Sequence, residues 1–229
     1  MTNYVIADIH GNYDGFKELL KTVNYGDNDT LIILGDIVDG GPKTRQCINL
    51  ALSLPNMTFL KGNHDEWFLK WSLGGPELSI WVDQGGRATL NSYEYNRKKV
   101  LKTHIDMIKD APYYLIKNNI LFVHGGFLPD VPIETQSPDL LTWDRNIISY
   151  AKDNIIEGYD KVFIGHTSTQ FYGNTITPIR ANNLIMCDTG GGWTGKLSLI
   201  DIDTLNFWSA DGVKTREFTN LLYNTEWSK

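Results

Sequence analysis

Short apolar runs alternate with helical periodicity over the first seventy residues of the chain. The apolar runs, which favour buried β-strands, lie at residues 4–7, 31–34 and 57–60. Apolar residues at helical spacing follow each run, over residues 13–23, 42–54 and 66–71. This alternation of strand and helix predicts a largely parallel sheet.

The second half of the chain has a different pattern, in which short strands are separated by turn residues. These strands are predicted at residues 120–123, 162–164, 175–179, 184–187, 196–202 and 205–208. Such a series predicts a second sheet. Between the two halves, residues 74–92 predict loops with a short helix, and residues 98–111 predict a helix in which His104 is partly exposed. Two sheets packed face to face, with helices outside, give an α/β fold of four layers in one domain, residues 1–229.

Polar blocks follow five of the predicted strands. They are Ala7-Asp8-Ile9-His10-Gly11, Gly35-Asp36-Ile37-Val38-Asp39-Gly40-Gly41, Gly62-Asn63-His64-Asp65, His124-Gly125-Gly126 and Gly165-His166-Thr167. In open α/β sheets, ligands bind at the carboxyl ends of the strands. The turn preference of Asp, Asn and Gly explains any one block. Five loops that bring His, Asp and Asn to one edge instead predict a functional site.

The residue types in these blocks suit a pair of metal ions. Residues at i and i+2 of an extended chain point to the same side, so Asp8 and His10 form half of a metal site. Asp36 has two oxygens and is able to bridge two ions. The mixed oxygen and nitrogen set suits Mn²⁺, Fe or Zn²⁺ better than Ca²⁺. Two ions about 3.5–4 Å apart polarise a phosphoryl group and activate a bridging water, so the pattern predicts a two-metal phosphoesterase.

Composition excludes several other classes of protein. The hydrophobic fraction of 41% is that of a globular chain able to bury a large core. A net charge of −6 argues against stable binding to duplex nucleic acid. No apolar run approaches the roughly 20 residues that span a bilayer, and no signal-peptide pattern opens the chain. These features predict a cytoplasmic protein without a membrane partner, and they leave its oligomeric state open.

The order of the five blocks resembles the calcineurin-like metallophosphoesterases, in particular the phosphoprotein phosphatase branch. That branch includes bacterial and phage-type Ser/Thr protein phosphatases and symmetrical dinucleoside tetraphosphate hydrolases. The family pattern is GDxHG, GDxxDRG, GNH[DE], HGG or HAG, and a late GH, and the resemblance runs from Tyr4 to about Ile202. Two positions depart from it: Ala7 replaces a glycine, and Gly40 replaces the arginine that normally contacts the phosphate.

The resemblance implies a role for each residue of the site. It places the first metal on Asp8, His10 and Asp36, and the second on Asp36, Asn63, His124 and His166. His64 would be the general acid that protonates the leaving oxygen, and a hydrogen bond donated to Asp39 would fix its tautomer and raise its pKa. Arg145 aligns with an arginine that grips phosphate oxygens. The implied cofactors are two divalent ions, with Mn²⁺ expected.

Three functions are compatible with this sequence. The main expectation is a Ser/Thr-type protein phosphatase or phosphomonoesterase, which acts on a phosphorylated protein or a small phosphoester by attack of a metal-bridging water. The alternative is a nucleotide-directed phosphoesterase, either a dinucleoside tetraphosphate hydrolase or a phosphodiesterase. For it, aromatic residues among Trp71, Trp81, Tyr93, Tyr95, Phe171, Tyr172 and Trp193 could stack on a base. Packing in the core or on the surface is the favoured interpretation for most of them. The third is a non-catalytic binding protein on the same fold.

Overall fold

The computed structural model describes residues 1–213, so the last part of the predicted domain, residues 214–229, lies outside the described residues. The strands are β1 (Asn3–Ile6), β2 (Thr30–Ile33), β3 (Met57–Phe59), β4 (Tyr114–Lys117), β5 (Ile120–Val123), β6 (Lys161–Ile164), β7 (Ile179–Ala181), β8 (Leu184–Met186), β9 (Lys196–Asp201) and β10 (Phe207–Asp211). The α-helices are α1 (Tyr13–Thr22), α2 (Thr44–Ser53), α3 (Asn63–Ser72), α4 (Ser79–Trp81), α5 (Arg87–Ser92), α6 (Lys102–Lys109), α7 (Pro138–Trp143), α8 (Asn146–Asp153) and α9 (Gln170–Gly173). A π-helical turn, Val82–Gly86, joins α4 to α5, and 3₁₀ turns lie at Arg97–Lys99 and Ile133–Thr135.

The first sheet has the strand order β10-β9-β1-β2-β3. Strands β1, β2 and β3 are parallel, as the βα pattern predicts, and β9 pairs antiparallel with β1. The expectation that residues 196–208 belong to the second sheet is therefore wrong. Leu197 and Leu199 of β9 pack in the same buried cluster as Phe16 and Leu19 of α1. This contact holds β9 at the free edge of β1.

The second sheet has the order β4-β5-β6-β8-β7, with β5, β6 and β8 parallel and an antiparallel strand at each edge. Strand β4 was not predicted, because none of its residues is buried and its alternation is weak. The strand predicted at residues 175–179 is wrong except at its last residue. Thr175 Oγ1 accepts a hydrogen bond from the backbone N–H of Thr177 at 3.2 Å, which closes a turn before β7 begins.

The two sheets pack face to face between two layers of helices. Val5, Ile32 and Leu34 of the first sheet region share a buried cluster with Phe122 and Phe163 of the second. The opposite face of the first sheet packs with α1, α2 and α3, and that of the second packs with α7 and α8. Burial of each large apolar side chain contributes about 1.5–3 kcal/mol, which makes this shared interior a main source of stability. The α/β four-layer expectation is confirmed.

The middle of the chain is more ordered than expected. Residues 79–92 are helical throughout except at a kink where Gly85 takes a φ of +108°. His104, expected to be partly exposed, is fully buried. Its two ring nitrogens hydrogen-bond to the Tyr93 hydroxyl at 2.7 Å and to Asn49 Oδ1 at 2.8 Å, so the polar side chain is satisfied inside the core. Within residues 1–213, none of the helices has the length and apolar character needed to cross a membrane.

Candidate metal centre and active site

The loops that follow the strands hold several site residues in a strained backbone conformation. The positive φ angles are 51° at Asp8, 48° at His10, 50° at Asp36, 70° at Asp39 and 63° at His166. Residues with a Cβ atom seldom adopt this left-handed region, and such strain concentrates at functional sites. Backbone hydrogen bonds hold the first two loops together, with the His10 N–H donating to the Asp36 carbonyl at 2.9 Å. The loops therefore position their polar side chains by means of backbone dihedral angles that are unfavourable in themselves.

Asp36 lies at the centre of the cluster. Its Oδ2 is 3.8 Å from His10 Nε2 and 3.4 Å from His124 Nε2, while its Oδ1 accepts a hydrogen bond from the His64 backbone at 3.0 Å. Two groups of ligand-type atoms, each within 4.8 Å of one another, share this carboxylate: one adds His10 and His64, and the other adds His124 and His166. A carboxylate between two clusters has the position needed to bridge two ions.

Hydrogen bonds fix the histidines with one nitrogen facing the centre. His10 Nδ1 donates to the Val38 carbonyl at 2.9 Å, and His124 Nδ1 donates to the Leu34 carbonyl at 2.6 Å. Histidine ligands of metals are commonly oriented in this way, because the bond at one nitrogen leaves the other free to coordinate. His166 Nε2 is buried and has no hydrogen-bond partner among the described residues. An unpaired buried nitrogen is costly, and a metal ion there would satisfy it.

The other two predicted ligands lie in the same cluster. The Asp8 carboxylate accepts from the His166 backbone at 2.9 and 3.1 Å, and its Oδ1 is 3.9 Å from His10 Nε2. Asn63 Oδ1 is 3.0 Å from His124 Nε2. All six residues predicted as ligands are thus brought together from both sheets. The donor set of carboxylate, amide oxygen and imidazole nitrogen fits borderline divalent ions.

The electrostatics of the site favour a bound cation. Burial and the neighbouring charge of Asp188 raise the pKa of Asp8, and burial raises the pKa of Asp188 to about 6. Burial would lower the pKa of His124, but the adjacent Asp36 outweighs it and raises that pKa to about 10. Positive charge is therefore stabilised between these carboxylates. Buried charges of one sign need a counter-charge, which divalent ions supply.

His64 and Asp39 form a second functional unit beside this cluster. His64 Nδ1 donates to Asp39 Oδ2 at 2.7 Å, and the Trp81 indole donates to the same oxygen at 2.8 Å. The Asp39 N–H donates to Thr89 Oγ1 at 2.8 Å, which fixes the carboxylate from behind. Burial alone would lower the pKa of His64, but the charge of Asp36 and the bond to Asp39 raise it. The imidazole is held in one tautomer and favoured in its protonated form, as an acid requires.

The remaining predicted residue, Arg145, lies at the rim. It is exposed, and its Nη1 donates to the Trp143 carbonyl at 3.3 Å. Partial burial of the His166 ring, with the nearby charges of His124 and Arg145, lowers the pKa of His166. Gly40 lies directly beside the centre, since a Cβ built on it would be 3.3 Å from His10 Cβ. Lys43, three residues after Gly40, forms an exposed ion pair with Asp14 at 2.7 Å.

Sequence reasoning missed three residues that support the site. Asp65 accepts from the backbone N–H groups of Asp36 at 2.7 Å and Gly62 at 2.9 Å, and so ties two ligand loops together. Its position in the third block, two residues after Asn63, was the sequence feature that could have indicated this role. Asp188 lies buried near Asp8, and Trp81 supports Asp39.

Trp81, one of the residues suggested for base stacking, is 1% exposed and cannot stack on a ligand. The same holds for Trp71 and Tyr93, which are buried in the core.

Comparison with known proteins finds a family match over most of the chain and several bacterial relatives. The family description of calcineurin-like phosphoesterases matches residues 1–201. A protein of Neisseria meningitidis serogroup A named symmetrical bis(5'-nucleosyl)-tetraphosphatase is 22% identical over 96% of this chain and 100% of the relative. A protein of the same name from Wigglesworthia glossinidia brevipalpis is 37% identical over 64% of this chain. That match spans about half of the relative, 51% of its length.

Solved structures with similar folds cover nearly the whole chain. One, provisionally named as a diadenosine tetraphosphatase, superposes with a TM-score of 0.71 at 19% identity, over 92% of this chain and 93% of the other. Another, a cold-active protein-tyrosine phosphatase of a psychrophilic Shewanella, gives a TM-score of 0.63 at 16% identity, over 91% and 80%. At these identities the likeness concerns the fold alone.

Proposed function

The chain belongs to the calcineurin-like phosphoesterase family, and we propose that it is a two-metal hydrolase that cleaves dinucleoside tetraphosphates symmetrically. The family and its relatives make it a metal-dependent phosphoesterase. The observation that carries the proposal is the Asp36-centred cluster, in which one carboxylate is shared by two groups of ligand-type atoms. A non-catalytic binding protein would not need this cluster together with the hydrogen-bonded pair of His64 and Asp39.

The cluster has ligands for two divalent ions. We assign Asp8, His10 and Asp36 to one ion, and Asp36, Asn63, His124 and His166 to the other. The unpaired Nε2 of His166 and the inward-facing nitrogens of His10 and His124 support this assignment. When bound, such ions polarise the phosphoryl group and lower the pKa of a water between them. Mn²⁺ is our expected metal, because the donor set is of borderline hardness.

The chain's own residues supply the proton and the orientation. His64 is proposed to protonate the leaving oxygen from Nε2, since its Nδ1 is occupied by Asp39. Asp39 holds the ring in place and stabilises its charged form, and Trp81 and Thr89 hold Asp39. Arg145 is proposed to contact phosphate oxygens from the rim. General acids of this kind contribute about 10²–10⁴-fold to the rate.

The choice of substrate rests on the relatives and on Gly40. The full-length relative is named as a symmetrical dinucleoside tetraphosphatase, whereas the expectation of a phosphoprotein substrate gains no support from the relatives. Without a guanidinium at position 40, the site lacks one of the family's contacts to a phosphate dianion. That loss matters less for an internal phosphate of a polyphosphate chain, which bears one negative charge and is held by its neighbours.

The experiment is a substrate panel on the Mn²⁺-loaded protein. It compares diadenosine tetraphosphate, p-nitrophenyl phosphate, bis-p-nitrophenyl phosphate and a phosphoserine peptide, with chromatographic analysis of the nucleotide products. We expect the highest kcat/KM for diadenosine tetraphosphate, with ADP as the sole nucleotide product. Formation of ATP and AMP would contradict symmetrical cleavage. A higher kcat/KM for the phosphopeptide would overturn the substrate assignment but leave the metal chemistry in place.

A further inference from the structure

Two tryptophans form an aromatic wall beside the metal centre. The Trp67 ring packs edge-on against His64 at 4.9 Å and against Trp143 at 5.4 Å, and Trp143 in turn packs against His166 at 5.5 Å. Trp143 is 36% exposed, and Trp67 is partly exposed. Trp143 is not part of the buried clusters of the two sheets, so its exposed indole beside His166 is not needed for the core. Neither residue was among the aromatic residues that the sequence suggested for base stacking.

A cavity of about 170 Å³ opens between helices α3 and α7, and both tryptophans of the wall belong to its lining. Asn63, a proposed metal ligand, lies in its lining, and its outer part carries Lys70 and Asp139, which are both exposed. Pockets that enclose a whole small molecule typically occupy about 300–1,000 Å³. This cavity is therefore the size of one part of a substrate, whose remaining part would lie over the metal centre. The indole rings of its lining match the ring of a base, and the charged groups of Lys70 and Asp139 match its hydrogen-bonding edge.

The wall adjoins the proposed proton donor. Trp67 is in direct ring contact with His64, which is proposed to protonate the leaving oxygen. With His64 in that role, a group bound against Trp67 belongs to the part of the substrate that departs. In a dinucleoside tetraphosphate that departing half is a nucleoside diphosphate.

We propose that Trp67, Trp143 and the adjoining cavity bind the base of the departing nucleotide. This inference rests on the proposed function and adds the group that selects a nucleotide over a simple phosphate ester. Stacking on an aromatic side chain tolerates any base, because every base has a π-face. The subsite is thus expected to accept several dinucleoside tetraphosphates rather than to select adenine alone.

The test compares Trp143→Ala with Trp143→Phe and with a control, Phe207→Ala. Phe207 is 43% exposed on the edge strand β10 of the other sheet, so its removal takes away a similar exposed aromatic ring. For each protein, kcat/KM is measured on diadenosine tetraphosphate and on p-nitrophenyl phosphate, and the ratio of the two is taken. We expect Trp143→Ala to lower this ratio roughly 10-fold or more, the usual scale of a lost base stack. Trp143→Phe should restore most of it, and Phe207→Ala should not change it.

A binding measurement separates recognition from turnover. ADP and pyrophosphate are titrated calorimetrically into each protein at equal metal loading. Trp143→Ala should weaken ADP binding roughly 10-fold more than pyrophosphate binding. An unchanged ratio of activities with equal effects on both ligands would overturn the subsite. If the unmodified protein fails to cleave diadenosine tetraphosphate, the proposed function is wrong. If it cleaves that substrate while Trp143→Ala keeps the ratio, only the subsite is wrong.

Discussion

His64 combines a fixed inner nitrogen with a ring that still reaches the surface. Its Nδ1 donates to Asp39 at 2.7 Å, and the residue is 8% exposed. Its own backbone N–H donates to Asp36, so a displacement of His64 would also disturb the proposed metal cluster. This coupling is why proton donation and metal binding have to be tested separately.

We expect His64→Asn to lower kcat roughly 10²–10⁴-fold if the histidine donates the proton to the leaving oxygen. The loss should be smaller for p-nitrophenyl phosphate than for a phosphoester with a poor leaving group, because p-nitrophenolate needs less protonation. Steady-state kinetics on both esters, with metal content by elemental analysis, check this. Equal losses on the two esters, or loss of the metal, would count against the acid role.

His104 provides a pH-dependent prediction away from the site. Burial, with the nearby charge of Arg45, lowers its pKa to about 4 from an ordinary value of about 6.5. Between these values the unfolded chain binds a proton that the folded chain does not, so the free energy of unfolding falls as the pH is lowered through this window. Urea titrations at pH 7 and pH 5 should show that the unmodified protein loses more stability than His104→Gln, by on the order of 1 kcal/mol. Identical pH slopes for the two proteins would contradict this.

At the level of single residues, the sequence indicated the side chains that cluster in the structure better than the residues that support them. Asp8, His10, Asp36 and His166 stand in short blocks whose composition is unusual at strand ends. Trp81, in contrast, contacts Asp39 across a separation of 42 residues in the chain, and no local pattern encodes that contact. His104 was misjudged because its hydrogen-bond partners, Tyr93 and Asn49, lie on other elements.

The kinked segment α4–α5 is the element that contacts the loop carrying Asp39. Gly85 has a φ of +108°, and its carbonyl accepts from the Gly40 N–H at 3.1 Å. A Cβ built on Gly85 would lie 2.7 Å from that same nitrogen. The kink therefore holds the loop that carries Asp39, and a side chain at its apex would push that loop away.

We expect Gly85→Ala to lower both the thermal midpoint and kcat. Gly158→Ala is the matched control, because Gly158 has a φ of +85° but no atom within 4 Å of a built Cβ. Both variants incur the backbone penalty of about 1–2 kcal/mol for a left-handed residue, and only Gly85→Ala adds a steric clash. Calorimetry and kinetics on the two variants test this. If Gly85→Ala loses no more stability than the control and keeps full kcat, the kink does not position the loop.

The elements themselves were predicted unequally. The strands β1, β2, β5 and β6 are short and mostly apolar, and each is buried at three of its four residues, so their pattern is strong. Strand β9 alternates just as clearly, but alternation does not say which sheet a strand joins, and packing against α1 decided it. Helices α7 and α8 were not anticipated. They cover the outer face of the second sheet with Leu141, Ile147 and Ile148, which lie among polar residues in the sequence.

In the whole molecule, the candidate metal centre lies where the two sheets meet. Asp8 and Asp36 follow strands of the first sheet, and His124 and His166 follow strands of the second. Two hydrogen bonds already cross between them, from the His166 N–H to Asp8 and from His124 Nδ1 to the Leu34 carbonyl. Ions held by residues of both sheets would join the halves further. We therefore propose that the chain unfolds as a single domain whose stability depends on metal.

Removing metal should accordingly lower the midpoint of one cooperative thermal transition. At 100 times its dissociation constant, a ligand stabilises the folded state by about 2.7 kcal/mol, which for a chain of this size corresponds to roughly 5–10 °C. Differential scanning calorimetry with Mn²⁺ and with a chelator measures the difference. Asp36→Asn should abolish most of this response, because it weakens the ligand shared by both ions. Asp130→Asn, at an exposed aspartate, should keep the response to Mn²⁺.

A midpoint that does not change with Mn²⁺ would refute the bridging role of Asp36. An Asp36→Asn protein that responds like the unmodified one would refute it as well. Two separate transitions, with only one sensitive to Mn²⁺, would instead refute the single domain, because residues from both sheets contribute to the cluster.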